Sequence, residues 1–166
     1  VTKLAVLPET REKTLAITNG SDPRLWKSVE LMDLEGSGKV VRGIDLYEIG
    51  QHVKGRLNEY LFNVTGAGFT YMDRPLVGLV RRFVAYKEQR ILFGLIEQIT
   101  GDRDKEYETP WGKRRGLGMN LLVGGVGRDD VGKEWVKKFK ELAQREDLKG
   151  KFIFIEGSGT EAMKLA

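Results

Sequence analysis

One pattern limits the fold of this chain more than any other. Between residues 119 and 156 an apolar run, an amphipathic stretch and a second apolar run follow one another. Met119–Val123 and Phe152–Ile155 are short apolar segments of the kind that become buried strands. Between them, Asp129 or Asp130 is placed to accept the free amides of a helix start. Val131, Trp135, Phe139 and Leu142 then recur at three- and four-residue spacing, which predicts an apolar helix face running to about Arg145. Glu134 with Lys138, Lys137 with Glu141, and Glu141 with Arg145 are opposite charges four apart. Gly124–Gly127 reads as the loop before this helix and Gly150 as the stop after it. Strand, helix and strand in that order suit a crossover onto a sheet.

A second helix is expected over about 45–61. Asp45 is its capping residue, and Leu46, Ile49, Val53, Leu57, Tyr60 and Leu61 form its stripe. Elsewhere the pattern is weaker. Lys3–Leu7, Thr14–Thr18 and Leu25–Leu31 read as extended, the last through its period-two alternation. Glu35–Gly38 reads as a turn from which Lys39–Arg42 pairs back as a hairpin. Residues 63–74 read as a glycine-rich turn with a short strand at Phe69–Met72. Pro75–Ile99 fits a helix or a hairpin, and periodicity does not separate the two. Together these readings predict a single α+β domain over residues 1–166: a mainly antiparallel sheet, two amphipathic helices at about 45–61 and 130–145, and the C-terminal strand–helix–strand unit.

Composition narrows the chemistry. The 166 residues include no cysteine, which excludes disulfides, thiolate nucleophiles and cysteine-ligated metals. It also points to a reducing, cytoplasmic setting. No run of about 18 apolar residues exists, so no membrane span is expected, and Val1–Pro8 is too short for a signal peptide. Four asparagines and four glutamines beside 28 basic and 24 acidic residues resemble a thermophile's composition. The net charge of +4 is unevenly spread. Residues 1–110 hold 16 basic and 16 acidic side chains, whereas residues 111–151 hold 11 basic and 6 acidic. A surplus confined to one segment is the kind that makes a patch.

His52 is the sole histidine, so two-histidine metal motifs are excluded. Gly127-Arg128-Asp129-Asp130-Val131-Gly132-Lys133 has the spacing of a phosphate-binding loop. It fails chemically, because Glu134 stands where a magnesium-binding hydroxyl is needed and two aspartates would repel phosphate. Glu156–Glu161 is a glycine-rich strand exit whose amides suit an anion. Asp102, Asp104, Glu106 and Glu108 alternate with other residues and would line one face of a strand, where a divalent cation could use them in a metal-dependent nuclease. The strongest cluster is Pro110–Gly118, where Lys113, Arg114 and Arg115 lie between glycines and beside Trp111. Cations neutralise phosphates, and an indole offers a face for a base. Arg128 and Lys137 extend the basic segment, and Arg81 with Arg82 adds a second contact. The expectation is a nucleic-acid-binding protein that needs no cofactor and holds its ligand rather than cleaving it. An assembly role, as a homo-oligomer or virion component, is the first alternative, and a nuclease using residues 102–108 is the second.

Overall fold

The computed structural model describes residues 29–157. Its organising element is a three-stranded parallel sheet, with β1 (Leu76–Val80), β4 (Asn120–Gly125) and β5 (Phe152–Glu156) in the order β1–β4–β5. Leu76 pairs with Asn120 and Val80 with Gly124; Leu121 pairs with Phe152 and Gly125 with Glu156. The expected mainly antiparallel sheet is therefore overturned. Among the described residues, the antiparallel pairing consists of a two-residue ladder between β2 (Glu106–Tyr107) and β3 (Arg114–Arg115). The physical reason lies in β4 and β5, which are apolar at successive positions. Such strands need cover on both faces, and crossover helices provide it for parallel sheets.

Alternation along the strands sorts the core into two layers. Leu121, Val123, Phe152 and Phe154 face one side, where they meet Phe83, Ile96, Trp135, Val136 and Phe139. Leu122, Ile153 and Ile155 face the other, against Leu57, Leu61 and Phe69. The first layer is covered by α4 (Asp130–Ala143) and α3 (Ile96–Thr100), the second by α2 (Gly43–Thr65). Phe139 is fully buried at the centre of the first layer. Its ring centroid lies 4.5 Å from that of Phe93, 5.4 Å from Phe83 and 5.7 Å from Phe154, with which it stacks.

Both expected helices are present, with different ends. On α2, Asp45 occupies the first turn rather than the cap: its carboxylate accepts from the Arg42 amide at 2.9 Å and from the Arg42 guanidinium at 2.9 and 3.1 Å. The Arg42 guanidinium holds the Asp45 carboxyl down at about 2. On α4 the cap is Asp129. Val136 takes the buried place foreseen for Val131, which is exposed. Of the three ion pairs foreseen there, Glu134–Lys138 forms at 3.0 Å. Arg145 turns instead to Glu97 and Asp147.

Five local readings are corrected. Val29–Leu31 begins the helix α1 (Val29–Gly36) instead of ending a strand; Leu25–Ser28, Lys3–Leu7 and Thr14–Thr18 lie outside the described residues. Lys39–Arg42 forms no hairpin, and Phe69–Met72 forms no strand. Residues 75–99 are neither one helix nor a hairpin, but β1 followed by two 3₁₀ segments (Ala85–Lys87 and Gln89–Gly94) and then α3. Gly124 and Gly125 belong to β4, not to a loop. Among the described residues, no helix is long and apolar enough to cross a membrane.

Candidate functional site

All but one of the foreseen site residues fall into two groups at opposite ends of the sheet. The β2–β3 hairpin is rooted at the amino ends of the strands. There the Gly118 amide donates to the Gly101 carbonyl at 2.8 Å, the Met119 amide to Ile99 at 2.9 Å and the Asn120 amide to Pro75 at 2.8 Å. Arg81, Arg82 and Arg128 follow the carboxyl ends of β1 and β4. At about 3.3 Å per residue, β4 separates the two regions by roughly 17 Å. Arg81 and Arg82 therefore do not join Lys113–Arg115 in one groove. Lys137 lies exposed on α4 and belongs to neither group.

The hairpin is held at its turn and at its root. Residues 109–112 close a turn in which the Gly112 amide donates to the Thr109 carbonyl at 3.0 Å. The Thr109 hydroxyl donates to the Gly112 carbonyl at 2.6 Å and accepts from the Trp111 amide at 3.2 Å. Proline second and glycine fourth is the pattern of a common tight turn. The Pro110 ring lies so close to Gly94 that a Cβ there would stand 2.8 Å from it. Trp111, third in the turn, is 59% exposed. At the root, the Gln98 side chain donates to the Arg115 carbonyl at 3.3 Å and Arg103 donates to the Leu117 carbonyl at 3.1 Å. Lys113 lies 3.8 Å from Glu108, whereas neither Arg114 nor Arg115 forms an ion pair among the described residues.

At the carboxyl ends, Arg81, Arg82, Lys87, Val80, Gly125, Val126 and Gly157 line a half-open cleft of ≈ 280 Å³. The chain is brought there by a run of backbone bonds. The Arg81 amide donates to Gly124, Phe83 to Val126, Arg128 to Phe83 and Gly157 to Gly125, at 3.0 to 3.1 Å. The buried Gln89 side chain donates to the Arg82 carbonyl at 2.8 Å and fixes the segment carrying both arginines. Gly125 has φ +153°, and a Cβ on it would overlap the Arg81 carbonyl oxygen. Neither Arg81, Arg82, Lys87 nor Arg128 makes an ion pair among the described residues. Glu156, beside Gly157, is paired with Lys140. Sequence reasoning missed Lys87, because Lys87-Glu88-Gln89-Arg90 reads as the loop of the hairpin alternative for residues 75–99. Only the fold of the 3₁₀ segment over the strand end brings it in.

The glycine-rich segment 127–133 is not a phosphate loop. The Asp129 carboxylate accepts from the Gly132 amide at 2.7 Å and from the Ala85 amide at 3.0 Å. These amides, Ala85 first, hold Asp129 below the ordinary carboxylate range. The first turn of α4 thus already holds an anion of the protein's own. Nor do residues 102–108 form a carboxylate face, since only Glu106 and Tyr107 are strand. Asp102 binds Arg74 at 2.8 Å and Lys105 at 3.2 Å, which lower its pKa in that order. Among the described residues, no three histidine, cysteine, aspartate or glutamate side chains are grouped to hold a metal ion. His52 approaches Glu30 at 3.5 Å and, with Arg56, ties α2 to α1. No protein-family model matches the chain, and no curated protein is similar to it.

Proposed function

We propose that the protein binds nucleic acid through the β2–β3 hairpin. The observation that carries this reading is the exposure of Trp111 on a turn fixed by three backbone and hydroxyl contacts, beside Arg114 and Arg115, which form no ion pair among the described residues. An indole left in water costs free energy unless something covers it, and an unpaired base presents a matching π-face. Cations at its root neutralise the adjacent phosphates. The rigid turn keeps the indole presented, so little ordering entropy is lost on binding.

Titration of labelled single-stranded DNA and RNA at several salt concentrations tests this. Affinity should fall steeply as salt rises. Replacing Lys113, Arg114 and Arg115 with alanine should reduce the slope of log affinity against log salt by about 2, at roughly 0.7 per phosphate contact. Most of that should come from Arg114 and Arg115, because Lys113 already faces Glu108. Trp111→Ala should cost about 1–3 kcal/mol of binding, the worth of one stacked base. Wild-type affinity and slope in the triple variant would remove the hairpin as the site.

An assembly role is the second reading, favoured by apolar side chains left in solvent on and before α2: Val40, Ile44, Leu46, Tyr47 and Phe62. Multi-angle light scattering checks it, and a monomer at high concentration counts against it.

A further inference from the structure

We infer that the cleft at the carboxyl ends of β1, β4 and β5 is a second, separate site that takes a nucleoside phosphate. Open α/β sheets bind ligands outside the carboxyl ends of their strands, where strand order reverses and the connecting loops part; this sheet, in the order β1–β4–β5, shares the strand ends but not the reversal. The space outside these ends has two chemical halves. Val80 and Val126 give it an apolar wall, and the two glycines, Gly125 and Gly157, let a flat group approach the backbone. Arg81, Arg82 and the half-buried Lys87 also border it, so three cationic side chains start from its walls, and the structure describes no carboxylate in its lining. The adjacent Glu156 is already neutralised by Lys140.

Two other clefts provide the contrast. The one around Glu97, Asp102, Lys105 and Asp147, and the one around Asp73, Arg74, Asp102 and Lys105, each carry both signs of charge. In both, Asp102 is saturated by Arg74 and Lys105. Only the carboxyl-end cleft of these three pairs an apolar wall with cationic residues that make no ion pair among the described residues. That combination matches a ligand with one planar, weakly polar part and one phosphate. Arginine suits the phosphate half, because its planar fork binds two oxygens at once. At ≈ 280 Å³ the cleft sits at the lower end of ordinary ligand pockets, which favours one nucleotide over a dinucleotide. The Tyr86 ring is 77% exposed and its centroid lies 5.7 Å from Lys87 Nζ.

The ligand's chemistry has two sources, a free nucleotide or the phosphorylated end of a strand. Calorimetric titration of the full chain with AMP, inorganic phosphate and adenosine tests the site. AMP should bind more tightly than either fragment at matched ionic strength. Arg81→Gln with Arg82→Gln, both exposed and remote from the core, should weaken AMP by about tenfold or more, the size of one lost charged hydrogen bond. Replacing Lys113, Arg114 and Arg115 with glutamine should leave AMP binding unchanged, which separates this site from the hairpin. Displacement of AMP by a 5′-phosphorylated oligonucleotide, but not by its unphosphorylated twin, assigns the site to strand ends. No displacement by either assigns it to free nucleotides. The inference is overturned if AMP fails to saturate at millimolar concentration, binds no better than phosphate, or is indifferent to the loss of Arg81 and Arg82.

Discussion

Gly132, in the first turn of α4, is a position where intrinsic helix propensity and tertiary packing predict opposite signs. By propensity alone, glycine to alanine inside a helix stabilises by about 1 kcal/mol. At Gly132, however, a Cβ would overlap the Phe83 carbonyl oxygen and stand 2.8 Å from its carbon and 3.0 Å from Asp129 Oδ1. The obstructing atoms are backbone, and that carbonyl also accepts the Arg128 amide at 3.1 Å. Forcing a methyl into such a contact costs about 1–3 kcal/mol, and disturbing the hydrogen bond adds about 1 kcal/mol. After the propensity gain is subtracted, Gly132→Ala should lose about 1–3 kcal/mol. Gly50→Ala and Gly55→Ala on α2 are internal controls, since nothing among the described residues lies within 4 Å of a Cβ at either. Each should gain about 0.5–1 kcal/mol. Urea unfolding followed by circular dichroism measures all three. Gly132→Ala at or above wild-type stability, with the controls stabilised, would refute the close approach of Phe83 to α4.

Two further perturbations probe the frame. Phe139→Ala removes a fully buried ring in contact with Phe83, Phe93 and Phe154 and should cost about 3–5 kcal/mol, read as a fall in melting temperature on the order of 10 °C; a fall of only a degree or two would place the core elsewhere. Asp129 has a lowered pKa in the folded chain because its carboxylate accepts the Ala85 and Gly132 amides, so its contribution is present above its unfolded value, about 3.9, and disappears as pH falls through the folded value. The melting-temperature gap between wild type and Asp129→Asn should therefore narrow below about pH 4, and a gap that stays constant down to pH 2 would show that the charge contributes nothing.

The parts of the fold legible in the sequence were those whose periodicity admits one reading. Trp135, Phe139 and Leu142 at helical spacing, set between two apolar runs, left little alternative to strand, helix and strand. Leu76-Val77-Gly78-Leu79-Val80 was ambiguous because five apolar residues satisfy both periods. Its identity as a strand comes from its partner, β4, more than forty residues away in the chain. The 3₁₀ segments have no periodic signature at all, and Phe83, which anchors their start, is buried only because α4 and β5 meet over it. The antiparallel expectation followed from reading several short strands where the chain makes α1 and loops. At the site, the cations Arg81, Arg82, Lys113, Arg114 and Arg115 were legible as local clusters. Their division into two regions was not, since it depends on which end of β4 each connection reaches.

That division also decides how an anion is held at the carboxyl ends. In a phosphate loop, backbone amides and the helix dipole do the holding. Here Asp129 occupies the first turn of α4 and spends its second oxygen on the Ala85 amide, locking the 3₁₀ segment against the helix. The same carboxylate that fills the helix start thereby fixes the segment that carries Lys87 to the cleft. Anion binding passes from amides to side chains: Arg81, Arg82 and Lys87. Side-chain cations near solvent are screened by salt far more than buried amides are. A site built this way is selective through the shape of its apolar wall and sensitive to ionic strength in its affinity, and both properties follow from one aspartate placed where a phosphate loop would leave a vacancy.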